Sequence, residues 1–469
     1  MICPLVFGCL LATSGFARVL QEVPSQAVLT VEGEETESLA YETAPVLRRY
    51  NIQFWTEEDK AALLQQTENA GADVWQLTPA HADIFLNGSH DQQLDELLIP
   101  PASYTDSLLP HTLLGVNQHQ PPSNQWNFSS LDNSTFHTIY HPLQEVEDFI
   151  QELYRQYPDL VTPVNIGHSA EGREMYALQI TKSKQVKRQH ASQHDNARKI
   201  GFVLMGAQHA REWIATSTAM YLAHALVAEV SEPYSLRKLL DSFDFHIIIE
   251  PNPDGYLYTW ESDRFWYKNR QVVGPNAKCV GIDMNRNWGY KWKPKSEFGE
   301  YFDDSFKRNK KPRVPTDPCS HWYPGHRAFE APEVNNIANY ITTQPNLQAF
   351  VELRSYGQML SSPYSYSCKR IPKDAEDQVE AAMGAAKAVK EVHGTTFKTG
   401  RLCENLYKAP GNIVDYMFAR AGIKYSYAAH LRDTGTYGFS LPPEWIRPVG
   451  EETVALIRSL AAFMTGRKV

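Results

Sequence analysis

Residues 201–216 read GFVLMGAQHAREWIAT and combine a short apolar run with two potential metal ligands. The run Gly201-Phe-Val-Leu-Met-Gly206 predicts a buried strand, and Trp213-Ile-Ala-Thr predicts the first turn of a helix. His209 and Glu212 lie between them, three residues apart, so their side chains can converge on one cation at the carboxyl end of the strand. For this motif alone, an exposed capping pair explains the spacing as well as a metal site does.

The rest of the chain extends this strand-helix pattern into an α/β domain. After a helix predicted at residues 143–157, short apolar strands recur at 200–206, 245–249 and 350–353. Amphipathic segments lie between them, which is typical of a largely buried sheet with helices on both faces.

A smaller α/β unit precedes this domain. Residues 46–100 predict a strand at 50–55, a helix that opens at Thr56-Glu-Glu-Asp, and a strand at 73–77, before a Pro/Ser/Asn/Gln-rich connector. We therefore divide the chain into a signal peptide at 1–17, a small α/β domain at 18–100, a connector at 101–134 and a large domain at 135–469. The interval between Lys60 and Arg155 contains no Lys or Arg, so the connector offers nothing to a protease that cuts after basic residues.

The composition limits the classes of function. The chain has 469 residues, of which 42% are apolar and 21% charged, and this is typical of a folded protein. Its 45 Lys and Arg against 54 Asp and Glu give a net charge of −9. No overall basic field exists to hold nucleic acid or an anionic membrane, and we expect neither as a partner.

Secretion is predicted from the N-terminus and from sequons. Residues 2–17 are apolar, too short to span a bilayer, and end in small residues, which indicates a leader cleaved near Ala17; an N-terminal core helix is the alternative. Asn-x-Ser/Thr sequons at Asn87, Asn127 and Asn133 agree with secretion, although such triplets also arise by chance. The final destination can be the medium, the cell wall or the vacuole.

Four cysteines remain after removal of the leader, and we expect them in an oxidising compartment. Three disulfide pairings are possible for them. The sequence has no Cys-x-x-Cys to clamp a metal, so two disulfides are favoured over a zinc site made of all four thiols. The four are Cys279, Cys319, Cys368 and Cys403.

Four motifs in one order identify a family. They are Gln208-His-Ala-Arg-Glu-Trp213, Asn252-Pro-Asp-Gly-Tyr256, Gly281-Ile-Asp-Met-Asn-Arg-Asn-Trp288 and Leu431-Arg-Asp-Thr-Gly-Thr-Tyr-Gly-Phe439. With them the chain resembles the zinc metallocarboxypeptidases of the pancreatic A/B type, with an N-terminal prodomain, over nearly all of 46–463. Its details are most similar to the secreted, inactive fungal branch associated with cell-wall organisation. The resemblance implies a carboxypeptidase-like mixed sheet with helices on both faces, and a small α/β prodomain.

The resemblance also implies a metal site and a carboxylate site. His209 and Glu212 would be zinc ligands, with Asp283 orienting the imidazole. Asn285 and Arg286 would grip the C-terminal carboxylate of a peptide, a role that suits a bidentate guanidinium.

Further roles and the disulfide pairing follow from the same resemblance. Arg211 and Arg264 would contact the peptide further out, with surface ion pairs as the alternative. Tyr407 would close over the bound residue, with a core position as the alternative. Val414 would form the floor of the side-chain pocket, which favours apolar or aromatic C-terminal residues. The implied disulfides join Cys279 to Cys319 and Cys368 to Cys403.

Three positions depart from the family pattern, and they are the ones that hydrolysis needs. The third zinc ligand, a His in His-Ser-Tyr, is Arg354 in this chain, and a guanidinium has no lone pair to give. The general base, a Glu before Leu-Arg-Asp-Thr-Gly, is His430. The oxyanion-stabilising Arg of Arg-x-Trp-Arg is Tyr267.

These departures predict a pseudoenzyme. Loss of a positioned proton-transfer group costs on the order of 10²–10⁴ in rate, and loss of an oxyanion donor roughly 10²–10³. We expect a secreted, monomeric carboxypeptidase fold that binds peptide or protein C-termini without hydrolysis. The alternatives are a divergent active zinc carboxypeptidase that releases apolar C-terminal residues, and a purely structural secreted protein.

Two outcomes are open for the metal. His430 can supply the missing nitrogen, which gives His209, Glu212 and His430 as zinc ligands. Arg354 can instead pair with Glu212 and fill the place of the cation. We favour this second outcome, with an empty or weakly occupied zinc site, because charge repulsion in a partly buried cleft is strong.

Overall fold

The computed structural model describes residues 45–86, 103–109, 126–182, 199–274, 278–293 and 318–466. All of them fall within one compact unit, Thr43–Val469. The predicted signal peptide and the sequon at Asn87 lie outside the described residues. No helix among the described residues is long and apolar enough to cross a membrane.

An antiparallel sheet and a helix form the N-terminal part. The strands, which lie in the order β2-β3-β1-β4, are β1 (Val46–Asn51), β2 (Asp73–Leu77), β3 (His81–Leu86) and β4 (Tyr104–Leu108). Helix α1 (Glu57–Asn69) begins as predicted, because Thr56 and Asp59 cap each other's backbone N–H groups. The strand predicted at 50–55 is wrong in its bounds, since the chain already turns after Asn51, where Trp55 N donates to Ile52 O.

The small sheet continues into the stretch predicted as a connector. β4 pairs antiparallel with β1, with Tyr104 opposite Tyr50, so the sheet extends beyond the boundary placed at residue 100. β4 is an edge strand whose residues are mostly exposed. Its sequence therefore lacks the alternation of apolar and polar residues that predicts a half-buried strand.

A mixed sheet forms the centre of the larger part. Within the described residues its eight strands follow the order β11-β10-β12-β9-β7-β8-β6-β5, and β12, β9, β7 and β8 run parallel. The strands are β5 (Val161–His168), β6 (Glu174–Ile180), β7 (Ile200–Met205), β8 (Phe243–Ile248), β9 (Leu347–Arg354), β10 (Met359–Ser362), β11 (Lys398–Arg401) and β12 (Tyr425–His430).

Helices cover both faces of this sheet. In β7, Phe202 and Leu204 pack into one apolar core, and Val203 and Met205 pack into another on the opposite face. The predicted fold, a mixed sheet between two layers of helices with a small α/β unit, is confirmed. The helices are α2 (Leu143–Gln156), α3 (Trp213–Val227), α4 (Pro253–Glu261), α5 (Pro332–Thr343), α6 (Ala375–His393), α7 (Leu402–Asn405), α8 (Ile413–Ala419) and α9 (Ile446–Thr465).

Two disulfides join loops of the larger part, and both implied pairings are confirmed. Cys279 pairs with Cys319 across a Cα separation of 5.0 Å, and Cys368 pairs with Cys403 across 5.6 Å. The second bond ties the loop after β10 to α7, next to the segment that carries Tyr407.

Two buried histidines tie the segment before α2 to helix α3. His137 Nε2 lies 3.0 Å from His224 Nδ1, and His224 Nε2 donates to the carbonyl of Phe128 at 3.0 Å. Because His224 Nε2 carries its hydrogen toward this carbonyl, a neutral His224 accepts the hydrogen of His137 Nε2 at its Nδ1. Burial lowers the pKa of His224 to about 4, and burial together with His224 lowers the pKa of His137 well below its usual value.

We expect the free energy of unfolding to fall as the pH drops from about 6.5 toward 4. The folded pKa values are depressed, so the unfolded chain binds more protons in this window, and the stability present above it is lost. Each histidine contributes a slope of at most ~1.4 kcal/mol per pH unit. Urea unfolding at about pH 7, 6 and 5 measures it, and His224→Gln should show a slope shallower by roughly one proton.

The matched control for this prediction is His168→Gln. The side chain of His168 is 59% exposed, so its replacement should leave the slope unchanged. Equal slopes in the wild-type protein and in His224→Gln would show that the buried pair is not the source of the acid sensitivity.

Candidate functional site

The candidate site lies at the carboxyl ends of the central parallel strands. β7 leads into the turn that carries His209, β9 ends at Arg354, and β12 ends at His430. The register of β9 and β12 places Arg354 opposite His430. Residues from three separate parts of the sequence meet here because parallel strands end at the same edge of a sheet.

The structure brings the side chains of His209 and Glu212 together, but on a turn and not on a helix. Glu212 precedes α3, with φ −85 and ψ 57, and its N–H donates to His209 O. His209 Nδ1 lies 3.1 Å from Glu212 Oε1, and His209 Nε2 lies 2.9 Å from Asp283 Oδ1. All three residues are buried. Asp283 therefore holds the imidazole with Nδ1 turned toward Glu212.

The guanidinium of Arg354 lies between His209 and Glu212. Its Nε donates to Glu212 Oε2 at 3.0 Å, and its Nη2 donates to Glu212 Oε1 at 2.8 Å. The same Nη2 is 2.5 Å from His209 Nδ1. Since a guanidinium only donates, His209 Nδ1 accepts here and Nε2 carries the hydrogen toward Asp283.

This donor set does not fit a zinc ion. Glu212 and His209 Nδ1 are both engaged by Arg354, which has no lone pair. In the parts of the chain that the structure describes, no group of three or more His, Cys, Asp or Glu side chains is placed to hold a metal ion.

His430, the candidate third ligand, is buried at the end of β12. Its Nδ1 makes no hydrogen bond within the described residues. Burial, reinforced by the nearby charge of Arg354, lowers the pKa of His430 to about 3, so the ring is neutral at pH 7. By contrast, burial alone would raise the pKa of Glu212, but Arg354 and His209 outweigh it and hold that pKa well below its usual value.

Tyr267 stacks on the imidazole of His209. The two ring centroids are 3.7 Å apart, and the guanidinium of Arg211 lies 4.7 Å from the centre of the Tyr267 ring on another side. The ring therefore fills the space where the resemblance places a catalytic Arg. A third guanidinium there would add like charge beside Arg211 and Arg354.

The residues predicted to bind a carboxylate lie beside this cluster. Arg286 Nη2 donates to the hydroxyl of Tyr407 at 2.7 Å in a partly buried contact. Asn285 Oδ1 accepts from the N–H of Ile413 at the start of α8, and the next residue, Val414, is fully buried. The structure thus brings the predicted grip, closing tyrosine and pocket floor to one place.

The two outer arginines are engaged in structural contacts. Arg211 is buried and forms an ion pair with Asp73 of β2. This ion pair lies in the interior and is not the surface ion pair given as the alternative. Arg264 donates to the carbonyls of Arg211 and Phe439 at 3.0 and 2.8 Å and lies 3.7 Å from the ring of Trp213.

Strand β2 of the small unit covers the site. A cavity of about 60 Å³ remains, and Gln76 Nε2 donates to the carbonyl of Tyr356 at 2.7 Å across it. The ring of Trp75 packs on Phe265 and Phe439 at centroid distances of 4.8 and 5.0 Å. Residues from both parts line the cavity, namely Val74, Trp75, Gln76 and Leu77 on one side and Arg211, Glu212, Tyr267, Trp322, Arg354, Ser355, Tyr356, Leu406, Tyr407, His430 and Phe439 on the other.

A partly buried ion pair reinforces this cover. Arg49 donates to Asp83 at 2.6 and 2.7 Å and also to the carbonyl of Thr434 at 2.6 Å. The hydroxyl of Tyr356 donates to the same carboxylate at 2.8 Å. The small unit is therefore joined to the neighbouring segments at Tyr356 and Thr434 by charge-assisted hydrogen bonds.

Sequence reasoning missed Glu352, a buried carboxylate two residues before Arg354 on β9. Its Oε1 accepts from Gln208 Nε2 at 2.5 Å, and its Oε2 lies 3.7 Å from Arg354 Nη1. Burial raises the pKa of Glu352. The available signal was the spacing, because residues i and i+2 of a strand point to the same face.

The sequence and the fold both have relatives. Residues 146–456 match the family model described as zinc carboxypeptidase. The chain is 32% identical over 449 residues to the protein named inactive metallocarboxypeptidase ecm14 of Talaromyces marneffei. This alignment covers 88% of this chain and 71% of the Talaromyces protein. It is 33% identical over 457 residues to the protein of that name from Paracoccidioides brasiliensis. This alignment covers 90% of this chain and 72% of the Paracoccidioides protein.

Solved structures share the architecture. The crystal structure of thrombin-activatable fibrinolysis inhibitor superposes with a TM-score of 0.72 at 26% identity, over 89% of this chain and 98% of that one. Carboxypeptidase A from Helicoverpa armigera has a TM-score of 0.71 at 24% identity, over 90% and 98%, which is a likeness of fold alone.

The cover over the cleft predicts the effect of Trp75→Ala. Loss of a buried Trp costs about 3–5 kcal/mol, and the indole of Trp75 packs between the small unit and the larger part. We expect faster amide hydrogen exchange in β2 and at residues 354–357 and 430–434. The matched control is Phe54→Ala, since Phe54 is 89% exposed on the same unit. Equal exchange in both variants would rule out Trp75 as the residue that closes the cleft.

Proposed function

The chain belongs to the zinc carboxypeptidase family, and from that membership we propose that it is a catalytically inactive member that binds the C-terminal carboxylate of a peptide or protein. The proposed inactivity rests on the position of the Arg354 guanidinium, which lies between Glu212 and His209 and engages the two residues that would bind zinc. The names of the two fungal relatives, both inactive metallocarboxypeptidases, support it.

The two other replaced positions support the same conclusion. His430 stands where the family has its general base, and an imidazole whose pKa is about 3 accepts a proton poorly at pH 7. Tyr267 offers a neutral ring where the family stabilises an oxyanion with a guanidinium. Neither residue supplies what the missing group supplied.

The groups suited to binding a carboxylate are present. Arg286 is buried and presents Nη2 to the Tyr407 hydroxyl, so an incoming carboxylate can take that hydroxyl's place as acceptor. Val414 supports a preference for apolar C-terminal residues. Because β2 covers the cleft, a ligand must displace part of the small unit or bind when that unit moves.

Secretion belongs to this proposal. Two disulfides support an oxidising compartment, and the sequon residues Asn127 and Asn133 are both exposed. Resemblance to the fungal inactive branch supports a role in cell-wall organisation. In this proposal the ligand is the C-terminus of a peptide or protein, and the chain acts as a monomer.

Peptide titration tests the binding function. We expect a peptide with an apolar C-terminus to bind at least about tenfold more tightly as the free acid than as its amide. Trp75→Ala should tighten binding because the cover is weakened, and Arg286→Gln should remove the preference for the free acid. Isothermal titration of each variant measures these affinities.

The matched control for Arg286→Gln is Arg173→Gln, which alters a partly exposed arginine paired with Glu171 and Asp254. If neither the wild-type protein nor Trp75→Ala distinguishes acid from amide, the cleft is not a carboxylate-binding site, and a purely structural role takes its place.

Restoring the family residues tests the inactivity. The triple variant Arg354→His, His430→Glu and Tyr267→Arg should release apolar C-terminal residues in a zinc-dependent manner once its connector is cut at an introduced protease site. Each single variant should do almost nothing, because the metal, the base and the oxyanion donor act as a unit. Release by the wild-type protein that a chelator abolishes would instead establish a divergent active carboxypeptidase.

A further inference from the structure

The guanidinium of Arg354 is surrounded on three sides by groups that bind cations. Its Nε and Nη2 meet the carboxylate of Glu212, Nη2 also meets His209 Nδ1, and Nη1 lies 3.7 Å from Glu352 Oε2. Glu352 and Arg354 point to the same face of β9. The Arg354 side chain is 10% exposed, and those of Glu212 and Glu352 are 1% and 0% exposed. These carboxylates therefore depend on Arg354 more than on water for compensation.

The partners of Arg354 are themselves held in place. His209 is fixed by Asp283 and by the Tyr267 ring, and Glu212 accepts the N–H of Ser355 at 2.8 Å. Glu352 is held by Gln208, whose Oε1 accepts from Trp288 Nε1 at 2.7 Å. The pocket is thus organised around a positive charge before any ligand arrives.

Removing that positive charge is costly by ordinary electrostatics. A buried carboxylate without its partner is strongly destabilising, since water cannot replace the missing interaction. Arg286 is the next cation, but it is directed to Tyr407 and to the carboxylate of Asp283 at 3.8 Å. Arg354 is thus the cation in direct contact with Glu212.

We propose that Arg354 is a permanent internal cation that takes the structural place of a metal ion at this site, with Glu352 as its second carboxylate partner. The folded protein then needs no metal, and it excludes one, because the atoms that would bind it are engaged by a group that cannot dissociate from the chain. This inference does not depend on carboxylate binding, and its tests use no peptide.

Metal content and melting temperature test the proposal on the full chain. After dialysis the wild-type protein should hold less than roughly 0.1 zinc per chain, and neither a chelator nor added zinc should move its melting temperature by more than about 1 °C. Arg354→Ala should melt roughly 3–6 °C lower. Added zinc should then raise its melting temperature, because His209 Nδ1 and Glu212 are no longer engaged by a guanidinium and can bind the ion.

The matched control is Arg432→Ala. Arg432 also pairs with a buried carboxylate, that of Glu452, whose side chain is 2% exposed, and its guanidinium also donates to the hydroxyl of Thr395 and not to an imidazole. Its loss should lower the melting temperature by a similar amount without any response to zinc. A zinc response confined to Arg354→Ala therefore separates replacement of a cation from a general loss of an ion pair.

A double variant tests the part assigned to Glu352. Glu352→Gln should destabilise the wild-type protein, but in the Arg354→Ala background it should cost less, because the charge that Glu352 faces is already absent. If Arg354→Ala does not fold, the zinc content of Arg354→His and of the wild-type protein still tests the proposal. Arg354→His should take up close to one zinc per chain, and the wild-type protein should hold almost none.

Three results would overturn the proposal. The first is near-stoichiometric zinc in the wild-type protein, with a lower melting temperature after chelation. The second is a melting temperature of Arg354→Ala equal to that of the wild-type protein. The third is a zinc response of Arg354→Ala no larger than that of Arg432→Ala.

Discussion

The ion pair between Arg354 and Glu212 is the interaction on which the rest of the site depends. A guanidinium and a carboxylate that are both withdrawn from water must stay together, because either one alone would be buried without compensation. Their pairing engages His209 Nδ1 as well. It also accounts for the neutral neighbours, since His430 and Tyr267 add no further positive charge at positions close to Arg354.

The small N-terminal unit completes this arrangement from the other side of the cleft. Its strand β2 brings Trp75 and Gln76 over the candidate site, its Asp73 pairs with Arg211, and its Asp83 accepts from the hydroxyl of Tyr356. Such an interface combines aromatic burial with charge-assisted hydrogen bonds, so the small unit and the cleft beneath it stabilise each other. Access to the cleft is therefore coupled to movement of this unit.

Binding and hydrolysis make different demands on a fold, and the proposed function separates them. Hydrolysis in the family needs a metal, a base and an oxyanion donor in close mutual placement, and the three replaced positions are the ones proposed to supply them. The proposed binding needs a shaped cleft and a cation, and the candidate cation is Arg286, which donates to the hydroxyl of Tyr407. The family fold is kept because the two large apolar cores on the faces of the sheet contain none of the three replaced residues.

The layered α/β fold could be predicted from local apolar patterns in the buried strands and amphipathic helices, and the order of the motifs pointed to most residues of the candidate site. Three features appear first in the folded chain: β4 joins the small sheet, Glu352 faces Arg354, and Gln76 reaches Tyr356 across 280 positions of sequence. An edge strand exposed on most of its residues leaves no periodic pattern. Contacts between distant segments depend on how whole strands and helices pack, and no short stretch of sequence records that packing.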